Sequence, residues 1–171
     1  MFRTLTIVAA TALLCGSPAF AQGAATATAN IVDQSGTALG TITGTEMDGG
    51  VHLTGELTGV PNGEHGFHIH AVGKCDAAGK FESAGPHFDV DSHKHGKDNP
   101  DGPHAGDLDN LVANDDGKVT VDFHVPNANL AALNDADGAS LVIHADPDDY
   151  KTDPSGNSGE RFACGVIEFS K

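Results

Sequence analysis

The sequence predicts an all-β chain, an antiparallel sandwich or barrel of eight short strands that carries two long loops. Two patterns point there: Thr, Val, Ile and Leu recur in short alternating runs separated by Gly, Asn and Asp, and apolar residues at helical spacing are scarce. The composition agrees, with 22 Gly and no Trp in 171 residues.

In chain order, residues 1–21 read as a secretory signal outside the fold. Arg3 is their only charge, an apolar run extends from Leu5 to Leu14, and Ala19-Phe20-Ala21 offers a small-x-small cleavage site. That run is too short to span a bilayer, and no later segment is long and apolar enough. Cleavage after Ala21 leaves residues 22–171 as one domain large enough for a core, with no membrane segment of its own. Strands are expected near Ala25 to Asp33, Ala38 to Glu46, Gly50 to Val60, His65 to Ala71, Gly106 to Ala113, Lys118 to Val125, Ser140 to Ala145 and Cys164 to Phe169, the fifth being the least regular. Asp48-Gly49-Gly50 and Asp115-Asp116-Gly117 read as turns between paired strands, and Asn127 to Asn134 as one or two helical turns. The two long loops run from Val72 to Ala105 and from Asp146 to Arg161; loops of this length are functional or disordered. Four histidines in the first, and a cysteine beside each, favour order.

Charge and cysteines narrow the setting. The chain carries a net −15, and losing Arg3 makes it −16, which argues against nucleic acid and anionic membranes as partners. Cys15 leaves with the signal, so Cys75 and Cys164 remain as an even pair in an exported protein and read as a disulfide. Closing a loop of about 90 residues contributes roughly 4–5 kcal/mol in the chain-entropy model.

The chemistry is concentrated in histidines. In a strand, His68 and His70 of Phe67-His68-Ile69-His70 share one face while Phe67 and Ile69 share the other, which makes half of a metal site. Alone, such a pair is more often a solvated strand face. It is not alone: His87 follows Ala84-Gly85-Pro86, His95 lies in His93-Lys94-His95-Gly96, His104 precedes Ala105-Gly106-Asp107, and His144 ends the apolar run Leu141-Val142-Ile143. Six histidines and an aspartate are too many for one tetrahedral centre and suit two. Imidazole fits copper and zinc, an added carboxylate favours zinc, and no thiolate or thioether competes.

These residues, with Ser83-Ala84-Gly85-Pro86-His87-Phe88, His104-Ala105-Gly106-Asp107-Leu108 and Gly159-Glu160-Arg161-Phe162-Ala163-Cys164-Gly165 in the same order, closely resemble the copper/zinc superoxide dismutases, in their periplasmic bacterial branch. The resemblance covers nearly all of the mature chain. It implies an eight-stranded Greek-key β-barrel, an immunoglobulin-like sandwich. It implies one copper held by His68, His70, His87 and His144, and one zinc held by His87, His95, His104 and Asp107. His87 would bridge the two ions, and Asp148 would link a copper histidine to a zinc histidine. Arg161 matches the active-site arginine, which would attract and orient superoxide. The implied reaction is disproportionation of superoxide to oxygen and hydrogen peroxide by alternate reduction and oxidation of copper, with zinc structural. Periplasmic location follows from the signal and the branch. The expected partners are superoxide as substrate and, as one option, a second copy of the chain in a homodimer.

Other histidines have plainer readings. His65 matches a structural position expected to tie its strand to a neighbouring loop, and His52 and His124 lie in alternating strands and should face solvent. By spacing His93 could replace His95, but the family pattern falls on His95. Lys74, Lys80 and Lys151 are candidates to steer an anion. Two other classes stay in view: a module that buffers or delivers copper and zinc without turnover, and a secreted β-sandwich scaffold with incidental histidines. Arg161 beside an open copper face separates an enzyme from a store, and stoichiometric metal separates both from a scaffold.

Overall fold

The first three strands form where alternation is cleanest. In β1 (Thr26–Asp33), β2 (Ala38–Met47) and β3 (Gly50–Thr58), the inward set Ala27, Ala29, Ile31, Leu39, Ile42, Val51, Leu53 and Leu57 is buried. Each large aliphatic side chain in such a set contributes on the order of 1.5–3 kcal/mol. The β2–β3 hairpin turns at Asp48-Gly49, where Gly49 takes φ +86°, a conformation that favours glycine. The computed structural model describes residues 25–126 and 128–170; the expected export signal, residues 1–21, lies outside them.

The remaining elements are β4 (Gly63–His65), β5 (Phe67–His70), β6 (Leu111–Ala113), β7 (Lys118–Pro126), a single helical turn α1 (Leu130–Leu133), β8 (Ser140–His144) and β9 (Arg161–Phe169). Seven strands form one antiparallel sheet in the order β5-β8-β9-β1-β2-β3-β7, and β4 pairs with β6. Since β4 leads into the edge strand β5 and β6 leads into the opposite edge strand β7, the β4–β6 pair brings the two edges together and the sheet curls into a barrel. The β3–β4 and β7–β8 connections cross from one edge to the other, which is Greek-key connectivity. The second hydrophobic cluster, Phe81, Ala84, Val142 and Cys164, lies under the Cys75–Cys164 disulfide.

Four expectations need correction. The run from His65 to Ala71 is not one strand: Gly66 breaks it, its N–H donating to Asp146 O (2.9 Å) and its carbonyl accepting from His144 N (2.8 Å). The Gly106 to Ala113 run forms a ladder only at its last three residues, although Gly106 O still accepts from Ile69 N (2.8 Å) and Phe67 O from Leu108 N (3.3 Å). β9 begins at Arg161 rather than Cys164, because Arg161 pairs with His144 across a register shift. Asp115-Asp116-Gly117 does turn the chain, but between β6 and β7, which belong to different ladders. The helical turn is there: the Asn129 side chain caps it by accepting from Ala131 N (2.7 Å), and Leu130 and Leu133 are buried in the core.

Candidate metal centre

Strand alternation delivers His68 and His70 together, and the first long loop is laid against them by backbone bonds. Phe88 N donates to Ile69 O and Gly106 N to Phe88 O, both at 2.8 Å, and single bridges pair His70 with His87 and His68 with Asp107. His144 comes from the adjacent β8, whose register sets Val142 opposite His68. All four imidazoles are buried, and His68 and His87 stack at 4.0 Å between centroids.

Hydrogen bonding then assigns each ring a free nitrogen. His68 Nε2 donates to Asp148 Oδ2 (2.8 Å) and His70 Nδ1 to Gly85 O (2.9 Å). His87 Nδ1 donates to Asp107 Oδ1 (2.7 Å) and His144 Nδ1 to Gly159 O (3.3 Å). What remains is His68 Nδ1, His70 Nε2, His87 Nε2 and His144 Nε2, all buried without a partner. Buried nitrogens are normally satisfied, so four orphans in one place require an explanation. One ligand atom from each of these residues lies within 4.8 Å of the others, and four nitrogens about 2 Å from one ion in a square would span about 4 Å corner to corner.

A second cluster adjoins the first. Asp107 Oδ2 is anchored by Gly96 N (2.8 Å) and His104 N (2.9 Å), which aims Oδ1 at three imidazoles: His87 Nδ1 at 2.7 Å, His95 Nδ1 at 3.0 Å and His104 Nδ1 at 3.2 Å. The His95 contact is close, yet its geometry is not that of a hydrogen bond, and that nitrogen is a fifth buried orphan. The edges of a tetrahedron with zinc-length bonds measure about 3.3 Å, so three nitrogens and one oxygen at these separations have the size of a zinc site. Proximity alone would group His68 with His87, His95 and Asp107 rather than His104. His68 Nε2, however, is committed to Asp148, and its Nδ1 belongs to the first quartet. His87 is common to both clusters.

Asp148 ties the clusters together: Oδ2 accepts from His68 Nε2, and Oδ1 accepts from His95 Nε2 (2.9 Å) and Tyr150 N (2.6 Å). Burial drives the imidazoles of His70, His87 and His144 down to about 2, 4 and 3, and lowers that of His68, which leaves them neutral. Burial acts the same way on His95, but the carboxylates of Asp107 and Asp148 outweigh it and raise that ring to about 9. Burial would raise both carboxyls, yet the hydrogen bonds from His87 and Gly96 N and the nearby His95 ring at Asp107, and the hydrogen bonds from His68 and His95 at Asp148, hold them well below the usual carboxylate range.

Arg161, opposite His144, lines an open cleft with His70, His87, His104 and His144. Its Nη1 donates to Phe81 O and its Nη2 to Gly85 O, both at 2.8 Å, so the Gly85 carbonyl receives both His70 and Arg161. None of Lys74, Lys80 and Lys151 lines the cleft, and Lys80 is paired with Glu160 (2.8 Å). Glu82, Asp89 and Glu160 do line it, so Arg161 is the one arginine or lysine among the described lining residues. His93 stays outside both clusters, half-exposed beside Asp89, and His65 bonds to His144 O and Pro61 O, each at 2.8 Å.

Three supporting residues escaped sequence reasoning. The Asn110 side chain clamps the Asp148 backbone, Nδ2 donating to its carbonyl (3.0 Å) and Oδ1 accepting from its N–H (2.9 Å). Tyr150 Oη accepts from Asn110 N (2.9 Å), and Asp153 Oδ1 accepts from His95 N (2.7 Å). The only faint signal was the position of Asn110 three residues after Asp107.

Comparison with known proteins identifies the family. The family model for copper/zinc superoxide dismutase matches residues 36–167. Copper-zinc superoxide dismutase 1 of Aquifex aeolicus is 44% identical over 146 residues, covering 82% of this chain and 86% of that protein. The crystal structure of a SOD-like protein from Bacillus subtilis superposes with a TM-score of 0.78 at 38% identity, covering 81% of this chain and 96% of that one. The Cu/Zn superoxide dismutase of Brucella abortus gives 0.70 at 34% identity, covering 84% and 99%. With a family match over most of its length and a matching site, the chain belongs to the copper/zinc superoxide dismutases.

Proposed function

We propose that this protein disproportionates superoxide to oxygen and hydrogen peroxide, with copper at His68, His70, His87 and His144 and zinc at His87, His95, His104 and Asp107. One structural relative is titled only SOD-like, so the chemistry rests on this chain's own residues. The observation that carries it is the quartet of orphaned imidazole nitrogens, one ring of which also reaches the Asp107 cluster. Copper, when bound, supplies the one-electron exchange with superoxide, and zinc is redox-inert and holds the loop.

The protein's own groups do the rest. The carbonyls of Gly85 and Gly159 and the carboxylate of Asp148 hold the protons of His70, His144 and His68 on the outer nitrogens, so that bare nitrogens face inward. His87 keeps a proton on Nδ1 against Asp107; were both ions bound, that proton would have to leave and His87 would serve as a ligand to each. Arg161 donates N–H groups to Phe81 O and Gly85 O and lies 3.6 Å from the exposed Glu82 carboxylate, and we assign the rest of its guanidinium face to binding a small anion at the cleft. A chain of negative net charge can draw in an anion this way, because the cleft focuses the local field of Arg161. An open face beside a fixed guanidinium has no use in a storage module. Export through residues 1–21, with cleavage after Ala21, places the enzyme in the periplasm.

The test is superoxide consumption by protein loaded with both metals and by His87→Ala. Catalysis in the parent, with a loss of at least a hundredfold in the variant, supports the reading. An inactive parent with both sites filled would reduce it to a metal carrier, and a fully active variant would remove the bridge.

A further inference from the structure

Among the described residues, a second histidine arrangement lies on the outside of the barrel and shares no residue with the buried centre. The β3–β7 register sets His52 directly opposite His124. Both belong to the outward rows, with Thr54, Glu56 and Thr120. Residues facing each other across an antiparallel pair have Cβ atoms about 4.5–5.5 Å apart, a spacing from which two imidazoles can reach a single ion. We propose that His52 and His124 form a third metal site, on the solvent face of the barrel, that takes a borderline divalent cation such as copper(II) or zinc, with Asp122 orienting one of its two ligands.

Asp122 makes this more than a pair of surface rings. Its Oδ1 lies 2.7 Å from His52 Nε2. An ionised carboxylate only accepts, so the His52 proton sits on Nε2 and Nδ1 is left bare. A carboxylate that fixes the tautomer and plane of an imidazole is the usual outer partner of a metal-ligating histidine. The His124 ring lies over Gly50, where a Cβ would come within 3.0 Å of its Cε1. Glycine at position 50 is required first by the Val125 carbonyl, which a Cβ there would overlap. Thr45 flanks His52 on β2 in the same outward row, and water can fill the remaining positions on this open face. Two imidazoles with water suit copper(II) better than zinc, by the general order of divalent affinities, and the strongly acidic chain favours any cation.

The test uses untagged protein with both buried sites already filled, titrated with copper(II) and followed by calorimetry and electron paramagnetic resonance. The expected result is one further equivalent with two nitrogen donors, removed by a mild chelator that leaves the buried metals in place. His52→Gln and His124→Gln should each weaken it at least tenfold, Asp122→Asn should weaken it severalfold, and His93→Gln should leave it unchanged. Superoxide consumption and thermal melting should be the same in all four variants, which separates failure here from failure of the buried centre. The proposal is overturned if no further equivalent binds, if both histidine variants bind as the parent does (an adventitious ion only), or if a single histidine accounts for the whole affinity.

Discussion

Asn110→Ala probes how the two clusters are held. The substitution removes both side-chain bonds to Asp148, whose N–H and carbonyl lose partners at 2.9 and 3.0 Å. Each group left unpaired away from water costs about 1–3 kcal/mol, so the two together set a ceiling of about 6 kcal/mol. For a chain of this size 1 kcal/mol moves the melting temperature by about 2–4 °C, so metal-free protein should melt roughly 4–24 °C lower. The Asp148 carboxylate would also lose its aim at His68 and His95, and loosening such an outer partner typically costs about 10–100-fold in metal affinity. Calorimetry of the metal-free protein and zinc retention against a competing chelator read the two effects separately. Asn110→Asp keeps the acceptor for Asp148 N and loses the donor to Asp148 O, so it should fall between parent and Asn110→Ala. If Asn110→Ala melts within about 1 °C of the parent and holds zinc equally well, Asn110 does not position Asp148.

Gly85→Ala should disturb copper retention and superoxide consumption together, because Gly85 holds φ +76° and ψ −159°, its added Cβ would meet Val72 Cγ2 at 2.9 Å, and its carbonyl serves both His70 and Arg161. Backbone strain there costs about 1–3 kcal/mol, and an unchanged copper content and rate would refute the shared role. Arg161→Ala should slow superoxide consumption at least tenfold and flatten its dependence on ionic strength while metal content stays constant; an unaltered salt dependence would show that steering lies elsewhere. Replacing Cys75 and Cys164 by serine together should cost about 4–5 kcal/mol, readable as a lower urea midpoint. In metal-free protein His70, His87 and His144 have folded values of about 2, 4 and 3, set chiefly by burial, whereas unfolded histidine titrates near 6.5. The unfolded chain therefore takes up protons first, and stability should fall as pH drops below about 6.5, less steeply in His144→Gln. His95, at about 9, contributes in the opposite sense: its stabilisation is full below 6.5 and is lost as pH rises through 9.

What the sequence revealed and what it hid divide along physical lines. Alternation in Thr26–Asp33 or Lys118–Pro126 is a local consequence of one buried face, so those strands were legible. His68 and His70 were legible for the same reason, since period two alone puts them on one face. The break at Gly66 was not, because it depends on Asp146 and His144, about 80 residues away. Asn110 and Asp153 were hidden because they act on the backbone of distant residues, and no side-chain pattern records such a contact. The lysines show the limit from the other side: their charges were countable, but only the fold shows that Lys80 is spent on Glu160 and that Arg161 faces the cleft without a lysine beside it.

The most direct test of the two-metal centre is a crystal structure of metal-replete protein with anomalous data at the copper and zinc edges. The copper peak should lie at bonding distance from His68 Nδ1, His70 Nε2, His87 Nε2 and His144 Nε2. The zinc peak should lie about 2 Å from His87 Nδ1, His95 Nδ1, His104 Nδ1 and Asp107 Oδ1. A single peak, or a His87 that touches only one ion, would contradict the shared centre.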